Sequence, residues 1–379
     1  MLLLNKMVNV HQIAKHHPHA VLARDILEYY GYEMPQEIAY GLSMGIGFEY
    51  INHVDTRLTS DYKLDNLYIG GFFSLDRRKI ANNLRIWLDI YRFGDDSREK
   101  GFQYIYNYLN MGRPIIVEVD INLYRNYVSS YDFDSTFLIE LDVEDNILLH
   151  GYNITVIGYD EEKNECICLD PYMDELIHIP RSTFDEMCYS QKENIHIEGE
   201  RSLIVVPRHK NVINLEIAII ASIRNSIYEF NNPYIMGDNY FLGKQGLIQF
   251  IEEFSTWKQR CSILQLKKSI QMIYFNSEVI AGHTGLYRIK YSEFLVTSSK
   301  ITGNDTLLKA AKCYKELGEM WSDILEIMYQ ESLEVTFEFD KISKVVEEKL
   351  KVIIENEFEA IKNLSEAICE PCDEREDIV

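Results

Sequence analysis

HGYNITVIGYDEEKNECICLDPY, residues 150–172, is the stretch whose reading decides the fold. Two apolar runs, residues 154–158 (ITVIG) and 166–169 (CICL), flank the polar segment 160–164 (DEEKN). Short apolar runs joined by such a turn predict a β-hairpin. The second run ends at Asp170-Pro171, and proline cannot donate to a sheet ladder. The strand therefore stops there with a carboxylate at its tip. Cys166 and Cys168 alternate along that strand, share a face, and read as small core hydrophobes.

Outward from the hairpin, GRPIIVEVD (residues 112–120) opens on a glycine and a proline and predicts a buried strand over 115–119. Residues 121–146 are aromatic and acidic, with Tyr124, Tyr127 and Tyr131 among them, and read as an irregular lid or substrate loop over an organic ligand, with tyrosine-rich packing as the alternative. Residues 203–207 (LIVVP) add a further strand. Toward the N-terminus, Pro18 suits a first helical position, and Val21, Leu22, Ile26 and Leu27 form an apolar face before Gly31 ends the helix. GLSMGIGFEY (residues 41–50) permits tight turns, with Ser43, Gly45 and Gly47 as ligand-approach positions. Its spacing is not that of a dinucleotide fingerprint. Residues 77–93 and 97–111 read as helices.

After residue 207 the pattern changes. Segments 213–230, 246–260, 262–274, 286–298, 305–330 and 334–368 carry helical periodicity. The expectation is an α+β domain over 1–210, an all-helical domain over 211–369, and a disordered acidic tail over 370–379.

A formal net charge of −22 across 379 residues disfavours nucleic acid and anionic membrane as partners. Neutral or cationic ligands such as amines fit better. Seven cysteines in so long a chain make no disulfide framework, and Cys369-x-x-Cys372 lies in the terminal tail without a second pair. No run of eighteen apolar residues exists, so a cytoplasmic protein is expected.

GLSMGIGFEY, GRPIIVEVD and NITVIGYDEEKNECICLDPY occur in an order that resembles the butirosin biosynthesis protein H family. In the second half GKQGLIQFIEEFSTW (243–257), TGLYRIKYSEFL (284–295) and AAKCYKELGEMW (310–321) extend the resemblance over nearly the whole chain. It implies a papain-like N-terminal domain, akin to the bacteriocin-leader peptidases, followed by a helical domain. It also implies acyl transfer in antibiotic or nonribosomal peptide biosynthesis. An acyl thioester on an acyl carrier protein or peptidyl carrier domain would pass to a small amine, giving an amide. No cofactor is implied, and a homodimer is among the expected assemblies.

The family pattern places a cysteine at the start of the first helix, a histidine base on the central strand and an orienting Asp in the D-P-Y turn. Asp170 matches that carboxylate. The base falls at Tyr152 or Asn153, which stand as substrate-binding candidates together with Ser43, Gly45, Gly47 and Tyr127. His150 lies two positions before Tyr152, about 6.6 Å along a strand. The cysteine position falls near Pro18, and no cysteine precedes Cys166. Catalytic candidates are therefore Asp170, His150, His17 and His19, with an imidazole as base and backbone donors for an oxyanion. A metal site from His17, His19 and His150 and a solvated histidine cluster are the alternatives for the 16–19 segment. Two function classes stay open: an amide-forming acyltransferase with a diverged site, and a catalytically inactive relative that binds a carrier, an acyl chain or a partner enzyme.

Overall fold

The computed structural model describes residues 1–52, 67–71, 78–92, 97–129, 152–190, 200–205, 213–232, 239–279 and 282–368. His150, Tyr131 and the 370–379 tail lie outside these residues. In chain order the first elements are β1 (Leu2–Leu3), α1 (Asn5–Val10), α2 (Pro18–Tyr29), α3 (Gln36–Ser43), β2 (Glu49–Ile51), β3 (Tyr68–Gly70), α4 (Arg78–Leu84), β4 (Trp87–Arg92), α5 (Arg98–Asn110), β5 (Ile115–Val119) and α6 (Ile121–Val128). Then come β6 (Tyr152–Asp160), β7 (Glu165–Leu169), β8 (Ile177–Pro180), α7 (Arg181–Cys188), β9 (Glu200–Val205), α8 (Leu215–Asn231), β10 (Tyr240–Leu242) and α9 (Gly243–Glu253). The chain closes with α10 (Trp257–Arg260), α11 (Ile263–Tyr274), α12 (Arg288–Thr302), α13 (Leu307–Leu333) and α14 (Phe339–Ile368). The protein is a mixed α+β molecule with antiparallel sheets and a helical C-terminal region.

Internal contacts divide the chain into two units. The first comprises Met1–Ala39, Asp55–Leu64 and Ile80–Val212; the second comprises Tyr40–Val54, Asp65–Lys79 and Ile213–Val379.

The first unit is built on an antiparallel sheet of order β4-β9-β5-β6-β7-β8, with β1 paired to the far end of β6. The predicted hairpin forms its centre: Thr155 faces Leu169 and Asp160 faces Glu165, with a register shift between Val156 and Gly158. Every residue of β6 is buried. Ile154, Val156, Ile167 and Cys168 are fully enclosed, each large aliphatic contributing about 1.5–3 kcal/mol of burial. Strand β5 covers the predicted 115–119 and pairs with β6 from Ile115↔Val156 to Val119↔Tyr152.

Two expectations are overturned here. The 77–93 segment is a helix only as far as Leu84, and Trp87–Arg92 is a strand paired with β9. That strand state is imposed by a partner more than a hundred residues away. The start of the 121–146 segment is a regular helix, because Asp120 caps it: Oδ1 accepts from the amides of Asn122 (2.8 Å) and Leu123 (3.1 Å).

The second unit carries a small antiparallel sheet, β10-β2-β3, and the C-terminal helices. Its core is aromatic. Tyr50, Phe250, Phe254 and Trp257 stack or meet edge-on with centroids 5.1–6.3 Å apart. Helix α13 buries Leu307, Ala310, Ala311, Tyr314, Leu317, Trp321, Ile324, Leu325 and Met328, a three–four spacing that turns one face to α12 and α14. Helix α11 begins with a full capping box, Ser262 with Gln265.

Between α11 and α12 the backbone is strained. Residues 275–279 form a π-helical turn, and Gly285, Leu286 and Tyr287 follow in left-handed conformation at φ 54°, 50° and 69°. The Glu278 carboxylate holds the turn, accepting from the Gly285 amide (2.9 Å) and the Ser322 hydroxyl (2.7 Å). Thr284 Oγ1 donates to the Ser277 carbonyl (2.6 Å) and accepts from the Tyr287 amide (3.0 Å). A Cβ on Gly285 would stand 2.0 Å from the Gly318 carbonyl oxygen, backbone that cannot step aside. Gly285→Ala is expected to lower stability by about 2–3 kcal/mol, read as a fall in the thermal midpoint. Gly282→Ala has positive φ but open space around it and should cost only about 1 kcal/mol.

Candidate functional site

At the end of β7 the chain turns at Asp170-Pro171, and Asp170 is completely buried. Its Oδ1 accepts from the Tyr172 amide at 2.7 Å, closing the turn. Its Oδ2 accepts two phenols, Tyr124 Oη at 2.7 Å and Tyr152 Oη at 2.9 Å. Tyr152 arrives because it is the first residue of β6. Tyr124 arrives because it lies one turn into the Asp120-capped helix α6. The two rings stack with centroids 5.2 Å apart. Burial pushes the Asp170 carboxyl up, opposed by the Tyr124 phenol, the Tyr172 amide, the Tyr152 phenol and the charge of His11. Burial, reinforced by the neighbouring carboxylate, drives both phenols far above the ordinary tyrosine value. They are fixed hydrogen-bond donors. Neither can serve as a base near neutral pH.

Beside Tyr152, Asn153 points to the start of α2. Its Nδ2 lies 3.1 Å from His19 Nε2. His17, the residue before the helix, stacks on His19 with centroids 5.2 Å apart and planes 10° apart. Burial pushes the His17 imidazole down to about 4, so it is neutral at physiological pH. The two stacked rings lie nearly parallel. Among the described residues no group of three or more His, Cys, Asp or Glu is placed to hold a metal ion.

The loop that feeds α2 is tied to the Asp170 turn. The Ala14 amide donates to the Pro171 carbonyl (2.7 Å), and His11 Nε2 lies 2.9 Å from the Met173 carbonyl oxygen. His11 Nδ1 is 2.8 Å from Asp25 Oδ2, and Asp25 Oδ1 accepts from Arg24 Nη1 at 2.7 Å. Arg24 is itself buried, donating to the Val10 (2.8 Å) and Met34 (3.2 Å) carbonyls and pairing with Glu28.

The fold thus brings together Asp170, Tyr152, Asn153, His17 and His19 from the sequence-based list. Tyr127 donates to the His178 carbonyl on β8 instead. Ser43, Gly45 and Gly47 group with the second unit, and the contacts of both glycines are made there. The left-handed Gly45 (φ 66°) leaves no room for a Cβ beside Ser226 Oγ, and the Gly47 amide donates to the Gly71 carbonyl at 3.1 Å. His150 lies outside the described residues. Tyr124, read from sequence as a lid residue, is instead an Asp170 ligand. His11, Asp25 and Arg24 carry no spacing signal that would have singled them out. The thiols of Cys166, Cys168 and Cys188 are buried, and burial drives Cys168 well above the ordinary thiol value, away from a reactive thiolate. No described helix is long and apolar enough to cross a membrane.

A family model described as a domain of unknown function (DUF4872) matches residues 190–364, under half of the chain. Comparison with curated proteins gave no match.

Proposed function

We propose that this chain is a catalytically silent relative of papain-like acyltransferases. It acts in the cytoplasm as a binding protein for a carrier-linked acyl group, and neither nucleic acid nor membrane is its partner. The observation that carries this reading is the Tyr152 hydroxyl on Asp170 Oδ2. The acyltransferase design calls for an imidazole on that carboxylate, and a phenol held far above its ordinary value cannot take a proton in its place. The central antiparallel hairpin, with Asp170 at its end and the start of α2 beside the first residues of β6, supports the papain-like comparison.

One feature favours a second reading. His19 Nε2 accepts from Asn153 Nδ2 (3.1 Å) beside the first residues of β6; once a substrate displaces that amide, the freed His19 nitrogen acts as base in a thiol-independent transfer to a small amine.

Intact-protein mass spectrometry with acyl-pantetheine thioesters and an amine panel separates the two, with calorimetry on the same thioesters. The expected result is no amide, no acylated protein, and saturable binding weakened roughly tenfold (about 1.4 kcal/mol) in His19→Ala. Amide that disappears in His19→Ala would establish the second reading. Absence of both binding and turnover would overturn both.

A further inference from the structure

The position of His11 has a chemical consequence that its neighbours fix. Its Nδ1 faces Asp25 Oδ2 and its Nε2 faces the Met173 carbonyl. A carbonyl oxygen only accepts. Asp25 is likewise used as an acceptor on both oxygens, since Arg24 Nη1 donates to Oδ1 and the Gln12 amide approaches Oδ2 at 3.4 Å. A neutral imidazole has one N–H, so it can satisfy only one of the two partners; an imidazolium satisfies both. The side chain is 3% exposed, so water does not stand in for a lost partner.

We propose that His11 is a buried imidazolium that latches the loop before α2 to the Asp170-Pro171-Tyr172 turn, and that its deprotonation releases the loop. The latch is short. From His11 to Ala14 the chain makes two bonds to the turn, at Met173 and Pro171, and His16, His17 and His19 follow at once. Holding this segment keeps His19 on Asn153.

The charged groups facing His11 favour the cation. Asp25 lies on α2 and Asp170 lies at the end of β7. Arg24, also on α2, is shared between Asp25 and Glu28. Burial lowers the imidazole, yet the bonds to Asp25 and Met173 and the charges of Asp25 and Asp170 outweigh it and the net shift is upward. With a raised folded value, the latch's contribution is fully present below the free-histidine value of about 6.5 and is lost as pH rises through the folded value. Deprotonation leaves Asp25 and Glu28 paired with Arg24, and Asp170 without the charge of His11.

The test uses the full chain and no ligand, so its outcome is independent of the acyl-binding reading. Spectra of ¹⁵N-histidine-labelled protein are recorded from about pH 5 to about pH 9, with amide hydrogen exchange along 11–19 corrected for intrinsic rates. Expected are two protonated ring nitrogens on His11 at neutral pH. Ala14 should lose protection roughly tenfold as His11 titrates, and the His19 ring resonances should move together with it. Asp25→Asn should bring the His11 midpoint down. His11→Gln should abolish the pH dependence of Ala14 exchange. A single neutral tautomer at neutral pH overturns the proposal, as does Ala14 protection that ignores the His11 titration. The wild-type spectra decide the first point whether or not either variant folds.

Discussion

Glu357→Ala is expected to destabilise the second unit by about 3–5 kcal/mol, the largest single loss anticipated in this molecule. Glu357 and Arg288 are 1% and 0% exposed, and Arg288 Nε donates to Glu357 Oε1 at 2.8 Å. Trp321 Nε1 donates to the same oxygen at 2.9 Å. Arg288 Nη1 reaches back to the carbonyls of Leu286 (2.7 Å) and Gly71 (3.2 Å). It therefore also pins the left-handed turn. Its guanidinium carbon lies 5.9 and 6.0 Å from the ring centroids of Phe48 and Trp321, at the outer limit of a cation–π contact. Removing the carboxylate strands a buried cation and an indole N–H together. Glu357→Gln keeps acceptors for both and should lose less. An Arg288→Met/Glu357→Leu pair removes both charges and should recover most of the deficit. Urea unfolding at constant pH reads all three. If Glu357→Ala unfolded at the wild-type midpoint, the pair would have no structural weight.

The second large effect is a pH dependence assigned to Glu49. This residue sits on β2, 8% exposed, with Tyr240 Oη donating to Oε2 at 2.7 Å. Burial pushes its carboxyl from 4.5 up to about 7, only partly opposed by the Tyr240 hydrogen bond. Tyr68 and Tyr287 also face it, as neutral phenols raised by the same burial. The folded value lies above the unfolded one, so the folded state holds the proton more tightly. Its stabilising share is complete below about pH 4.5 and is lost as pH rises through about 7, for a total of about 3 kcal/mol. Glu49→Gln keeps the hydrogen bond without the ionisation. It should be more stable than wild type at pH 8 by an amount of that order and should equal it near pH 4.5. Parallel denaturation curves for the two proteins between these pH values would sink the assignment.

The hairpin, β5 and the long C-terminal helices were legible in the sequence because each is specified by its own residues. Residues 154–158 and 166–169 are apolar runs of strand length with a polar turn between them. Helix α13 repeats buried positions every three or four residues for seven turns. Strand β4 was not legible. WLDIYR follows a helix directly, and only its pairing with Glu200–Val205 decides its state. The small sheet escaped for the same reason, since Glu49–Ile51 is three residues long and its partner is Tyr240–Leu242. At the site, Asp170, Tyr152 and Asn153 could be placed by counting along the hairpin. His11 could not, because its partners Asp25 and Met173 are fourteen and 162 residues away.

The pairing of β2 with β10 also sets a schedule for biosynthesis. Strand β2 leaves the ribosome about 190 residues before the strand that completes its sheet. At ~5–20 residues per second that is a wait of roughly 10–40 seconds, during which only β3 is available to it. A two-stranded ribbon is marginal in water, and an unpaired edge is a template for pairing with other nascent chains. The nascent first half of this protein therefore carries an uncompleted β2 edge until residue 242 has emerged.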